Sequence, residues 1–76
     1  MNIKTTVWVG KNGITESLLN EIASQLEYRK VIKIKFLKNS DRENFREISN
    51  QIAEYLGAEI VDMRGFTVTL RKLGNK

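Results

Sequence analysis

The sequence predicts an α+β fold, a two-layer sandwich in which two helices cover one face of a mixed four-stranded sheet, in the order β-α-β-α-β-β. Three observations carry that prediction. Val31-Ile32-Lys33-Ile34-Lys35-Phe36 alternates apolar and basic residues, as a strand with one buried and one wet face must. Two stretches, one behind Thr15 and one ahead of Gly57, repeat apolar residues at helical spacing. Phe66 to Arg71 alternates once more after an Arg64-Gly65 turn, the pattern of a hairpin strand.

Each element follows in order. Ile3 to Val9 reads as the first strand, rich in β-branched residues and carrying Trp8. Thr15 is a favoured N-cap, and Ile14 and Leu19 stand at the spacing of a hydrophobic staple. The first helix then places Leu18, Leu19, Ile22, Ala23 and Leu26 toward a core, leaves Glu16, Asn20, Glu21, Ser24 and Gln25 wet, and ends around Tyr28. The second strand, residues 31–36, turns Ile32, Ile34 and Phe36 inward and Lys33 and Lys35 outward. Ser40-Asp41-Arg42-Glu43 matches a capping box. The second helix buries Phe45, Ile48, Ile52, Ala53 and Leu56 and stops at Gly57, a preferred C′ residue. Glu59 to Met63 is a third strand, Arg64-Gly65 a tight turn and Phe66 to Arg71 a fourth.

The helical crossovers are expected to be right-handed with parallel strands, and the final hairpin antiparallel. Two helices cannot cover both faces of four strands. Lys33, Lys35, Thr67, Thr69 and Arg71 share the non-apolar side, so one sheet face is expected to be open, basic and hydroxyl-rich. Phe36, Phe45 and Phe66 are expected in the core, with Tyr28 and Tyr55 at its edge. Trp8 has two readings, a half-buried packing residue or a ring on the open face available to a base.

A chain of 76 residues makes one small domain, able to bury about 60% of its unfolded surface. It contains neither Cys nor His, which excludes disulfides, thiol chemistry, an imidazole base and a conventional zinc site. No pair of carboxylates is placed for acid–base work, and an enzyme is not expected. No apolar run approaches the roughly 20 residues of a membrane span, and Met1-Asn2-Ile3-Lys4 is not a signal peptide. A cytoplasmic monomer without cofactor or membrane partner is the expectation. The net charge of +4 is unevenly placed: residues 29–46 hold seven basic residues against two acidic ones, or +5, leaving six against seven, or −1, elsewhere. A basic patch of this kind suits a polyanionic partner; lysines on strands can also serve only to deter edge pairing.

The most informative segment is Val7-Trp8-Val9-Gly10-Lys11-Asn12-Gly13-Ile14-Thr15. A strand runs into a Gly-Lys-Asn-Gly turn, and a helix start follows directly. Backbone N–H groups, a helix N-terminus and a lysine then surround one point, an arrangement that favours a phosphate. KH domains clamp a nucleic-acid backbone with a G-x-x-G loop, because absent side chains let the backbone approach closely. The same two glycines could serve only the chain reversal, Gly10 as a sharp exit and Gly13 in a positive-φ conformation.

Taken together, Gly10-Lys11-Asn12-Gly13-Ile14-Thr15-Glu16, Leu26-Glu27, Val31-Ile32-Lys33-Ile34-Lys35, Gly57-Ala58 and Arg64-Gly65 resemble the CRM, or YhbY-like, domain of small RNA-binding proteins. The resemblance covers nearly the whole chain, as a single domain over residues 1–72 with a polar tail at 73–76. It implies a fold like the C-terminal domain of bacterial translation initiation factor three, with strand order 1-2-4-3. It further implies a non-catalytic protein that binds structured ribosomal RNA or its precursor in large-subunit assembly, with ribosomal proteins as further candidate partners. By position, Gly10, Lys11, Asn12, Gly13 and Thr15 become the RNA-contacting loop, supported by Arg29, Lys30, Lys33, Lys35 and Arg71. Two departures stand out. Bacterial members usually carry a helix before the first strand, which suggests an archaeal-type, stand-alone member here, and the family's terminal L-Y-R is Leu70-Arg71-Lys72. Two rival readings are an Alba-like chromatin protein, which shares the element order but has a long basic hairpin, and a module that docks on a ribosomal protein through its open face.

Overall fold

The computed structural model describes residues 4–73. The predicted start of the first strand at Ile3 and the tail residues 74–76 lie outside them. Six elements follow the predicted order: β1 (Thr5–Val9), α1 (Glu16–Arg29), β2 (Val31–Phe36), α2 (Phe45–Leu56), β3 (Ala58–Arg64) and β4 (Thr67–Lys72). The sheet order is β1-β2-β4-β3, as the resemblance implies. β1 pairs parallel to β2, and β4 runs antiparallel to both β2 and β3.

The core lies between the sheet and the helices. β1 contributes Val7 and Val9, β2 Ile32, Ile34 and Phe36, and β4 Val68 and Leu70. Ile22 and Leu26 of α1 and Phe45, Ile52 and Ala53 of α2 close over them. Burying each such side chain stabilises the fold by about 1.5–3 kcal/mol, so the alternation of β2 alone decides which way the sheet faces. Phe36 and Phe45 meet edge to face with ring centroids 4.9 Å apart, joining the end of β2 to the start of α2.

Several details depart from the expectations. Gln25, read as wet, is only 7% exposed; its Nε2 donates to Glu21 Oε2 at 2.9 Å and reaches the Thr6 carbonyl at 3.5 Å. The register of β1 shifts between Thr5 and Val7, and Gln25 fastens α1 to that irregular stretch. Ser49 is also fully buried, a small residue that lets α2 approach the sheet. The capping box at Ser40-Asp41-Arg42-Glu43 does not form, and α2 starts later, behind Asn44. Loop contacts occupy its residues instead. Ser40 Oγ donates to the Leu37 carbonyl, Arg42 donates twice to the Phe36 carbonyl, and Asp41 accepts from Asn44 Nδ2 at 3.0 Å.

Phe66 is not a core residue: it occupies the hairpin turn with Gly65 and is 39% exposed. Its ring packs edge-on against Phe45, with centroids 5.6 Å apart, and the Arg42 guanidinium lies over it at 4.2 Å. Tyr28 and Tyr55, expected at the core edge, are largely exposed. In β3 a register shift between Ile60 and Asp62 turns Val61 out and brings Met63 back to the face of Ile60. Such a bulge also blunts an edge strand.

α1 stops on Lys30, whose N–H donates to the Leu26 carbonyl at φ 71°, ψ −34°. It is the one described non-glycine residue with positive φ, a conformation that costs an L-residue about 1–2 kcal/mol. Its other backbone group accepts from Lys72 N–H at 2.7 Å, and this contact holds the corner in place. Lys30→Gly relieves the strain without removing a backbone bond. Thermal unfolding should show a stability gain of roughly 0.5–1 kcal/mol, several degrees in Tm; a fall in Tm would show that the lysine side chain matters more than the backbone.

Candidate nucleic-acid interface

The strand directions gather one set of loops at one end of the sheet. β1 and β2 are parallel and end side by side, with Val9 opposite Phe36. β4 begins and β3 ends at the same edge, since Arg64 pairs with Thr67 and Thr67 with Lys35. The Gly10–Gly13 turn, the 37–44 loop and the Gly65-Phe66 turn therefore share that end. The starts of both helices follow two of these loops and lie there as well.

The first turn is closed by Gly13 N–H donating to the Gly10 carbonyl at 3.0 Å. Lys11 and Asn12 are exposed at its tip. Gly13 has φ 69°, so the turn itself requires glycine there. Gly10 has no such requirement: a Cβ added to it would meet only Asn39 Oδ1, at an ordinary 3.9 Å. The two glycines are thus inequivalent, one shaping the turn and the other leaving its surface bare. Thr15 then caps α1 as expected, its Oγ1 accepting from Leu18 N–H at 3.1 Å, while Ile14 and Leu19 both pack against the core. The neighbouring loop is tied in by Leu37 N–H donating to the Val9 carbonyl at 2.9 Å. That bond brings Lys38 and Asn39 beside Gly10.

The open face carries three rows across the strands. Trp8, Lys35, Thr67 and Arg64 are register partners nearest the loops; Thr5, Lys33, Thr69 and Asp62 form the second row; Val31, Arg71 and Glu59 the third. Trp8 is 53% exposed and stands outside the buried core, opposite in direction to Val7 and Val9, so its ring lies on the open face. A hollow of about 220 Å³ lies over Thr5, Lys33, Lys35, Asp62, Arg64 and Thr67. The face is less basic than its sequence suggests. Arg64 pairs with Asp62 at 3.4 Å, and Arg71 pairs with Glu59. Among the described residues Lys33 and Lys35 enter no ion pair, so they set the charge of the face. Thr69 lies between Lys33 and Asp62 in the register and is buried, unlike the exposed hydroxyl expected.

The expected site residues fall into two groups. Gly10, Lys11, Asn12, Gly13, Thr15 and Lys35 come together at the loop end, and Lys33 stands one row behind. Arg29 and Lys30 lie at the other end of α1, a helix of 14 residues and so about 20 Å long. Arg71 stands four residues along β4 from Thr67, about 13 Å away on the strand. At that distal corner Lys72 Nζ donates to Glu27 Oε2 at 2.8 Å. The bond and the charge of Lys72 hold the Glu27 carboxyl below its usual range, with a smaller contribution from Lys30. The Arg29 guanidinium rests over the Tyr28 ring. These three cations stand at the opposite end of the sheet from the loop.

Lys38 joins the loop end without having been singled out as a site residue. The signal was available: if the first two strands are parallel, any cation just past the second falls beside the turn that ends the first. The same end also holds Arg42, but its guanidinium is engaged by the Phe36 carbonyl and the Phe66 ring.

Comparison with known proteins agrees with this architecture. Over 70 residues the chain is 36% identical to Probable RNA-binding protein MJ0652 of Methanocaldococcus jannaschii, covering 91% of this chain and 52% of that one. It is 30% identical over 64 residues to Probable RNA-binding protein YqeI of Bacillus subtilis, covering 84% of this chain and 66% of that one. The chain thus spans about half the length of the archaeal relative and just under two thirds of the bacterial one. The solution structure of the hypothetical protein SAV1595 from Staphylococcus aureus, a candidate RNA-binding protein, matches with a TM-score of 0.79 and 27% identity, over 99% of this chain and 77% of that one. The family model of the CRS1 / YhbY (CRM) domain matches residues 1–72, and the chain belongs to that family.

Proposed function

We propose that this protein is a non-catalytic RNA-binding module whose contact surface is the Gly10–Gly13 turn together with the Lys33–Lys35 side of β2, and whose target is structured ribosomal RNA or its precursor in large-subunit assembly. The observation that carries the reading is the position of the Gly-Lys-Asn-Gly turn. It joins the end of β1 to the N-terminus of α1 and lies one strand away from two lysines that have no ion-pair partner among the described residues. Relatives in two organisms carry RNA-binding names, which supports the same class of partner.

Phosphates would sit against the turn, where its backbone, the positive end of α1 and the exposed Lys11 converge. Lys35 and then Lys33 extend the contact along β2, and Lys38 flanks it. These are backbone contacts, which confer affinity without sequence choice; selection then comes from RNA shape. The turn between β3 and β4 is short, Gly65-Phe66, and offers no long basic arm of the Alba kind.

A contact with about four phosphates should give a log–log salt slope of roughly −3 to −4 in an RNA titration. Lys11→Ala should weaken binding and reduce that slope by about 1, with the fold unchanged by circular dichroism. A slope near zero, or full binding by the folded variant, would contradict the electrostatic mechanism, and equal competition by duplex DNA would favour the chromatin reading.

The glycines separate fold from contact. Gly13→Ala should lower stability by about 1 kcal/mol in urea unfolding, since it forces an L-residue to positive φ. Gly10→Ala should leave stability within about 0.5 kcal/mol and still weaken RNA binding, because only the approach of the phosphate is obstructed. Unchanged RNA affinity in Gly10→Ala would remove the turn from the interface.

A further inference from the structure

Resting on that reading, we propose that Trp8 is a stacking platform for an unpaired base, so that the preferred RNA presents a nucleotide outside a helix directly beside the phosphates held at the Gly10–Gly13 turn.

The neighbours of Trp8 in β1, Val7 and Val9, are buried, while its own side chain faces the opposite way and remains more than half exposed. An exposed indole by itself is unremarkable on a protein surface. Its surroundings make it a site. β1 is an edge strand, so no further strand shields the outer side of the ring. On the inner side its register partner is Lys35, followed by Thr67 and Arg64 in the same row. A flat aromatic surface is therefore bordered by a lysine without an ion-pair partner among the described residues, with a hydroxyl and a guanidinium farther along the same row. The guanidinium is held at 3.4 Å by an exposed carboxylate and remains accessible.

Spacing connects this platform to the turn. Trp8 precedes Gly10 by two residues, about 7 Å along an extended strand. That is within the reach of one nucleotide, whose phosphate lies on the turn while its base lies on the indole. Lys35 is then placed for the next phosphate. A base in a continuous duplex is already stacked on both faces and cannot reach a ring on a shallow sheet. A bulged or looped base can, and RNA-binding sheets commonly recognise such bases by stacking. The hollow over Lys33, Lys35 and Thr67 begins at Lys35, the register partner of Trp8, and leaves room for sugar hydroxyls and base edges. The interface accordingly selects a junction between paired and unpaired RNA, with phosphate contacts on one side and stacking on the other.

The chain contains a single Trp, which makes it its own reporter. The test uses a fully paired RNA duplex and the same duplex with a one-nucleotide bulge, both end-labelled for anisotropy, while Trp8 fluorescence is followed in parallel. The bulged RNA should bind about tenfold or more tightly and quench Trp8. Trp8→Ala should reduce its affinity to that of the duplex and leave duplex binding unchanged, whereas Trp8→Tyr should retain most of the preference. Equal affinity for both RNAs, with Trp8 fluorescence unmoved and Trp8→Ala silent, would overturn the stacking role while leaving the RNA-binding reading intact. Absence of binding to either RNA would overturn both. Circular dichroism confirms that the variants fold, as expected for an exposed position.

Discussion

Two helices and four strands leave one sheet face uncovered, and the direction of β2 decides which face that is. Ile32, Ile34 and Phe36 point into the helical layer and are fully buried, so Lys33 and Lys35 must point away from it. A slip of one residue would bury two ammonium groups and expose three large apolar side chains. Both consequences are costly, and burial of an unpaired charge is the more severe. The same alternation that holds the domain together therefore also builds a cationic face, with no separate structural device for the charge.

Chain direction supplies the second constraint. Parallel pairing of β1 and β2 brings their C-terminal ends together, and each crossover helix must then begin at that end. Loops, helix N-termini and the bare Gly10–Gly13 surface accumulate there for topological reasons. Ligands of open sheets bind outside the carboxyl ends of strands for the same reason. The opposite end is assembled differently: Lys72 joins Glu27, and Arg71 joins Glu59, so its cations are partly neutralised by structural pairs. Exposed pairs of this type add little stability, but they reduce the field available to a polyanion.

Much of this was legible in the residues. Alternation in β2, the Thr15 cap and the Gly57 stop all register local rules, and each corresponds to an observed boundary or burial. The open face was legible too, because it follows from counting helices against strands. What escaped depended on contacts between distant segments. The Ser40–Glu43 box satisfies the local capping pattern, yet the carbonyls of Phe36 and Leu37 compete for Ser40 and Arg42. Phe66 keeps the parity of Val68 and Leu70, but the hairpin turns one residue later than Arg64-Gly65 and carries it out of the strand. Gln25 looks polar on a helical wheel and is buried by an irregular stretch of β1 that no local pattern reveals. Arg29, Lys30 and Arg71 belong to the same basic chain but not to the same end of the sheet. Charge counted along a sequence does not distinguish the two ends.

The central claim is that the RNA contact is the loop end of the open face. It is tested most directly by mapping amide and indole N–H resonances of the isotopically labelled protein as bulged RNA is added. The largest changes should fall on Gly10 to Gly13, on Thr15, on the Trp8 indole and on Lys33 and Lys35, with Arg29 and Lys30 and the outer helical surface around Gln51 and Tyr55 nearly still. Changes centred on the helices, or on the Arg29–Lys30–Arg71 end with the turn unaffected, would contradict it.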